Sequence, residues 1–175
     1  MRTSLIAAAV VAAALTAAGC GESTGKPANP NAAEKSPPGD IPDNQAFVAY
    51  RPAGADYSVK VPEGWGRRAS GKAVTFSDKL NSVTMEAVPA GTKLRSGQAQ
   101  RKGRAVQRKA GKAELVTYIA PAKPNPVTGK SGEDAVERYV FHRSGEDVVL
   151  TLRGPKGADN VDPWRIVTNS LTFEG

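Results

Sequence analysis

C-terminal to about residue 46 the chain alternates apolar and polar positions in short runs. Tyr57, Val59 and Val61 alternate with Ser58 and Lys60 before Pro62, Glu63 and Gly64 interrupt, which predicts a half-buried strand ending in a turn. Residues 74–78 and 82–88 repeat the pattern on either side of "DKLN", a set of turn residues that predicts an antiparallel hairpin. Residues 115–120 predict a further strand, "PAKPNPVTGKSGED" a long loop, and residues 136–143 and 148–153 a second hairpin about "SGED". Residues 96–110 carry a thin apolar stripe, Ala99, Val106 and Ala110, at helical spacing, diluted by Gly97 and Gly103; the expectation is a helix. Near the end Asp162 offers an N-cap oxygen, Pro163 suits a first helical position, and Trp164, Ile166 and Val167 supply an apolar side; this predicts a helix, and "SLTF" a closing strand. Strands in antiparallel succession with helices packed on them make an α+β domain over residues 46–175.

The N-terminal residues follow another logic. Arg2 precedes an entirely apolar run over residues 5–15, too short to span a bilayer as a helix and patterned as a secretory signal. Small residues Ala17, Ala18 and Gly19 lead directly to Cys20, the only cysteine of the chain. This resembles the lipobox of bacterial lipoproteins, with Ala17 where leucine is usual. The resemblance implies cleavage after residue 19, lipid on the Cys20 thiol, and a chain anchored at the extracytoplasmic face of the cell membrane. An ordinary secretory signal with an incidental thiol is the alternative. A lone cysteine excludes an internal disulfide, so the domain must rely on its core.

Residues 21–45 contain no aromatic residue, one large aliphatic at Ile41, and many Gly, Pro, Asn and Ser. Such a segment buries too little apolar surface to fold; the expectation for 20–45 is a lipidated tether with a reach of roughly 25–30 Å. The remaining length of about 130 residues suits one domain and a monomer.

The strings "YSVKVPEGW", "VTFSD" and "DPWRIVTNSLTF" resemble the PsbP-like superfamily, and "NPVTGK", "VERYVF" and "LTLRGPKGADNVDPWR" resemble uncharacterised exported lipoproteins of actinobacteria. The resemblance covers roughly residues 46–175 and is weakest between Lys93 and Lys112. It implies an α-β-α sandwich around a twisted antiparallel sheet, a binding or accessory role, and no catalytic residue.

Candidate chemistry is sparse. His142 is the only histidine; as a general base it needs a positioned partner, and the sequence shows neither a neighbouring nucleophile, a G-x-S-x-G elbow nor a second histidine, so a structural histidine is expected. Asp159, Asn160 and Asp162 crowd oxygen ligands but lack the pattern of an EF-hand loop, and turn formation with helix capping accounts for them. Trp65, Trp164, Tyr139 and Phe141 are expected in the core. No cofactor and no metal site is predicted.

Charge is the remaining signal. The 24 Lys and Arg residues against 17 acids give a net charge of +7, and the tether is acidic, so the domain is the more basic part. Between Lys93 and Lys112 eight basic residues occur without an acid. Arg101, Lys102, Arg104 and Arg108 are the expected anion-binding set, facing a membrane surface, an anionic envelope polymer or an acidic protein; the alternative is a solvated face. Nucleic acid is not expected, because no aromatic residue is interleaved to stack on bases. Two function classes follow: a non-catalytic, lipid-anchored binding or accessory domain, and a cell-envelope hydrolase using scattered carboxylates such as Asp134 and Glu137.

Overall fold

The computed structural model describes residues 38–94, 103–124 and 129–174; the signal segment, Cys20, most of the tether, and Arg101 and Lys102 lie outside them. Three strands, β1 (Phe47–Tyr50), β2 (Tyr57–Pro62) and β10 (Thr172–Phe173), form a small antiparallel sheet in the order β1-β2-β10. Seven more, β3 (Gly66–Ser70), β4 (Ala73–Ser77), β5 (Ser82–Pro89), β6 (Arg104–Arg108), β7 (Gly111–Pro121), β8 (Glu133–His142) and β9 (Glu146–Pro155), form a large antiparallel sheet in the order β3-β4-β5-β9-β8-β7-β6. The chain runs β3-β4-β5 as one meander, crosses to the far edge, and returns as β6-β7-β8-β9 to place β9 against β5. One helix, α1 (Val161–Asn169), lies between β9 and β10 in sequence.

Alternation decides what is buried. Val74 and Phe76 on β4, Val83 and Met85 on β5, Val148, Leu150 and Leu152 on β9, Tyr139 and Phe141 on β8, and Ala113 and Leu115 on β7 share one cluster with Tyr57, Val59 and Val61 of β2, Trp164 and Val167 of α1, and Leu171. Successive side chains of a strand point to opposite faces, so these are one face of the large sheet, covered by β2 and α1. At the hairpin between β4 and β5, Asp78 Oδ1 accepts hydrogen bonds from the N–H groups of Leu80 (2.8 Å) and Asn81 (2.6 Å), the Asx chemistry expected of "DKLN".

The observed architecture is mostly antiparallel sheet with a single helix among the described residues, more sheet-rich than a sandwich with several packed helices. Of the expected helix over 96–110, residues 96–102 lie outside the described set, and Arg104–Arg108 is strand β6, paired with β7 from Arg104↔Leu115 to Arg108↔Gly111. Pairing with a neighbouring strand overrides a thin apolar stripe, because Val106 buries against the core from an edge strand as well as from a helix.

The terminal helix is present but starts earlier. Asn160 occupies the N-cap, Asp162 and Pro163 lie inside the first turn, and Pro163 is tolerated there because first-turn N–H groups lack intrahelical partners. Asn160 makes no capping bond with its side chain; that amide is used elsewhere. Its Oδ1 accepts from the Ile41 N–H (2.8 Å), and its Nδ2 donates to the Gly39 carbonyl (3.0 Å) and Asn81 Oδ1 (3.0 Å). Asp40 Oδ1 accepts from the Asp159 N–H (2.9 Å), and Ile41 is only 4% exposed, within the core cluster. The tether expected over 20–45 therefore ends earlier: from Gly39 onward the chain is docked, because one isoleucine with two asparagine partners fixes a segment whose composition alone reads as coil.

Candidate anion-binding groove

A groove of about 620 Å³ lies beside α1. Lys60 reaches it from β2, at the exposed position of that strand's alternation. The Lys60 N–H donates to Ser170 Oγ (2.7 Å), which in turn donates to the Val167 carbonyl (2.6 Å), while the Ser170 N–H closes the helix on Ile166 and Val167. Ser170 thus ties the end of α1 to β2, and Thr172 Oγ1 shares a 2.8 Å hydrogen bond with Ser58 one step further along.

Lys109 arrives from the turn between β6 and β7. Arg108 holds that turn against the helix. Its guanidinium lies 4.8 Å from the centre of the Tyr139 ring, donates to Tyr139 Oη (2.8 Å) and Thr168 Oγ1 (3.0 Å), and also donates to the Gln107 carbonyl (2.9 Å). A planar fork satisfied in several directions over an aromatic face is a task for arginine rather than lysine. Tyr139 passes its own proton toward Glu137 Oε2 (2.6 Å); burial first, and the Glu137 bond and charge second, push its phenol up to about 12 despite the opposing Arg108 charge.

Arg165 comes from α1 and pairs with Asp162 (2.6 Å) one turn earlier. Among the described residues neither Lys60 nor Lys109 makes an ion pair. Three cations and one carboxylate line the groove, and the roughly half negative charge at the end of a helix leaves the balance positive. Asn169 adds a side-chain amide and Ile166 an exposed aliphatic.

The expected anion-binding set is only partly represented. Arg104 is exposed on the edge strand β6. Arg108 has its donors engaged inside the fold and acts as a positioning residue for Lys109, not as a free cation. Sequence reasoning named the basic run around Lys109 but missed Lys60 and Arg165, which lie far from it in sequence and carry no local signal.

The other candidates resolve by strand geometry. His142 and Asp147 are register partners across the β8–β9 hairpin, and His142 Nδ1 lies 3.0 Å from the buried Asp147 Oδ1, whose Oδ2 accepts from the Gly91 N–H (3.1 Å). Glu114 Oε2 stands 3.7 Å from the other ring nitrogen. The partner absent from the local sequence reading was recoverable by aligning the hairpin about its turn, yet a carboxylate, not a nucleophile, faces Nε2. Asp134 and Glu137 are three residues apart on β8 and therefore point to opposite faces: Asp134 pairs with Arg153, and Glu137 with Tyr139. They do not converge on a hydrolytic site. Asn160 faces the interior whereas the Asp162 side chain is 77% exposed, so "GADNVDP" presents no shared ligand set. Trp164 is in the core and Trp65 packs against it.

A second hollow of about 440 Å³ lies between the loop 51–56 and the β3–β4 hairpin. Its charges are spent in pairs, Asp56 with Arg143 and Lys72 with Glu146 (3.9 Å), while Arg67 lies over Tyr50. Tyr57 at its floor is 1% exposed; burial, reinforced by Glu146, Glu86 and Asp56, pushes its phenol up to about 12.

No protein-family model matches the chain, and no curated protein does. Solved structures show partial likeness. A protein of Bacteroides thetaiotaomicron VPI-5482 superposes with a TM-score of 0.47 at 11% identity over 69% of this chain and 46% of its own, so the chain spans about half the length of that protein. The Saccharomyces cerevisiae Ran-binding protein Mog1p gives a TM-score of 0.48 at 11% identity, covering 74% of this chain and 96% of its own. A point variant of Mog1 gives 0.39 at 14% identity over 71% and 87%. Ran binding is named for the yeast protein alone.

Proposed function

We propose that this chain is an exported lipoprotein, held at the extracytoplasmic face of the cell membrane through Cys20, whose PsbP-like domain is a non-catalytic binding module for an anionic partner. The address rests on the apolar run over 5–15 and the small residues leading into Cys20. The binding reading is carried by one observation: Lys60, Lys109 and Arg165, from a strand, a turn and a helix, meet at a single groove whose net charge is positive. Converging cations concentrate anions, and the effect is screened as ionic strength rises. The partner in this reading is anionic envelope material or an acidic protein.

Retention of the protein on immobilised polyphosphate and on an uncharged polysaccharide tests the reading. Selective retention that falls with salt, and falls again when Lys60, Lys109 and Arg165 are changed to Gln, is expected. Retention indifferent to those three changes would remove the groove from the account.

A further inference from the structure

Three features meet along α1. The chain enters the fold at the N-terminal end of this helix: the Gly39 carbonyl accepts from both Asn81 Nδ2 (3.0 Å) and Asn160 Nδ2 (3.0 Å), and Asp40 is bonded to the Asp159 N–H. The described chain therefore begins, at Pro38, beside Asn160. The helix also presents Val161, 63% exposed, and Ile166, 46% exposed, two of the four large hydrophobic residues that are exposed among the described residues. Finally, Ile166 stands in the groove with Lys60, Lys109 and Arg165. An exposed aliphatic set among Lys and Arg side chains suits an interfacial membrane contact, Asp162 on the same face being paired with Arg165, and basic residues near an anionic leaflet are drawn to its phosphates.

We propose that the α1 side of the domain docks onto an anionic lipid bilayer, with Lys60, Lys109 and Arg165 on lipid phosphates and Ile166 entering the headgroup layer. The inference rests on the lipoprotein reading, because an anchor joined to the chain near Asn160 keeps this side at high effective concentration near lipid. A soluble polyanion engages the cations and gains nothing from exposed Ile166; a bilayer uses both. That difference favours the bilayer as occupant.

The experiment uses the protein purified from membranes and reconstituted in vesicles, with Asn169→Cys, in the groove lining, carrying an environment-sensitive fluorophore and nitroxide lipid as quencher. Phosphatidylglycerol vesicles should quench the label and phosphatidylcholine vesicles should not. Changing Lys60, Lys109 and Arg165 to Gln should lower the docking equilibrium about fivefold per cation, and Ile166→Ser should lower it about tenfold without altering the groove's charge. Equal fluorescence on both vesicle types, with Cys20 shown by mass spectrometry to be lipidated, overturns the docking and leaves the lipoprotein reading standing. Binding to free polyphosphate that matches vesicle binding and ignores Ile166→Ser assigns the groove to a soluble polymer and also overturns it. A chain with an unmodified Cys20 that fails to stay on either vesicle overturns the lipoprotein reading, and the docking with it.

Discussion

Replacing Asn160 with Ala should undock the N-terminal edge of the domain. The Asn160 side chain is 2% exposed and holds three groups: the Ile41 N–H, the Gly39 carbonyl and Asn81 Oδ1. The Gly39 carbonyl keeps its bond from Asn81 Nδ2, so two buried groups lose their partner. Each stranded group costs about 1–3 kcal/mol, which gives a loss of about 2–6 kcal/mol against a total of about 5–15 kcal/mol for an ordinary domain. Asn160→Asp sharpens the argument. It retains the acceptor for Ile41 but turns a charge toward two oxygens, so it should destabilise at least as much as Ala. Urea unfolding measures the loss in both variants, and hydrogen exchange locates it, since the Ile41 amide should lose its protection in Asn160→Ala. An unchanged urea midpoint together with a protected Ile41 amide would refute the reasoning, and would mean that burial of the Ile41 side chain docks the segment unaided.

Three further outcomes follow from neighbouring geometry. Gly154→Ala places a methyl against Asn81 Oδ1 and within 2.9 Å of Asn160 Nδ2, atoms already committed to each other, so a destabilisation of about 1–3 kcal/mol is expected by thermal unfolding. Arg108→Lys should fail to rescue Arg108→Ala, because the ring stacking and the paired bonds to Tyr139 and Thr168 need the planar fork; calorimetry showing full rescue would reduce Arg108 to a simple charge. Tyr57 and Tyr139 have folded phenols raised from 10.0 to about 12. For an acid whose folded pKa is raised, the folded state holds the proton longer, so this contribution is complete below pH 10, declines as pH rises toward about 12, and should appear as alkaline unfolding that Tyr57→Phe and Tyr139→Phe shift to higher pH.

Much of the sheet was legible because burial on one face writes alternation into the sequence. β2, the β4–β5 hairpin, the β8–β9 hairpin and the helix followed by β10 all stand where Tyr57, Val59 and Val61, "DKLN", "SGED" and Trp164 pointed. The two edges of the large sheet were not legible. Every residue of β3, "GRRAS", is exposed, so no apolar face marks it, and its arginines are what an edge strand carries to resist pairing with other chains. β6 offers Val106 alone amid Ala, Gln and Arg, residues that favour helix when read locally; only its pairing with β7 makes it a strand. The groove was hidden for a related reason. Lys60 is one polar position in an alternating strand and Arg165 one exposed position on a helix, and chain topology, not spacing, sets them beside Lys109. Asn160 read as a turn residue because its actual partners, Ile41, Gly39 and Asn81, are distant in sequence.

The mass of the mature N-terminus, measured on the protein taken from membranes, tests the central claim most directly. A chain that begins at Cys20 and carries a diacylglycerol on its thiol is the predicted result. A membrane-borne chain that retains residues 1–19, or one with an unmodified Cys20, would contradict the account.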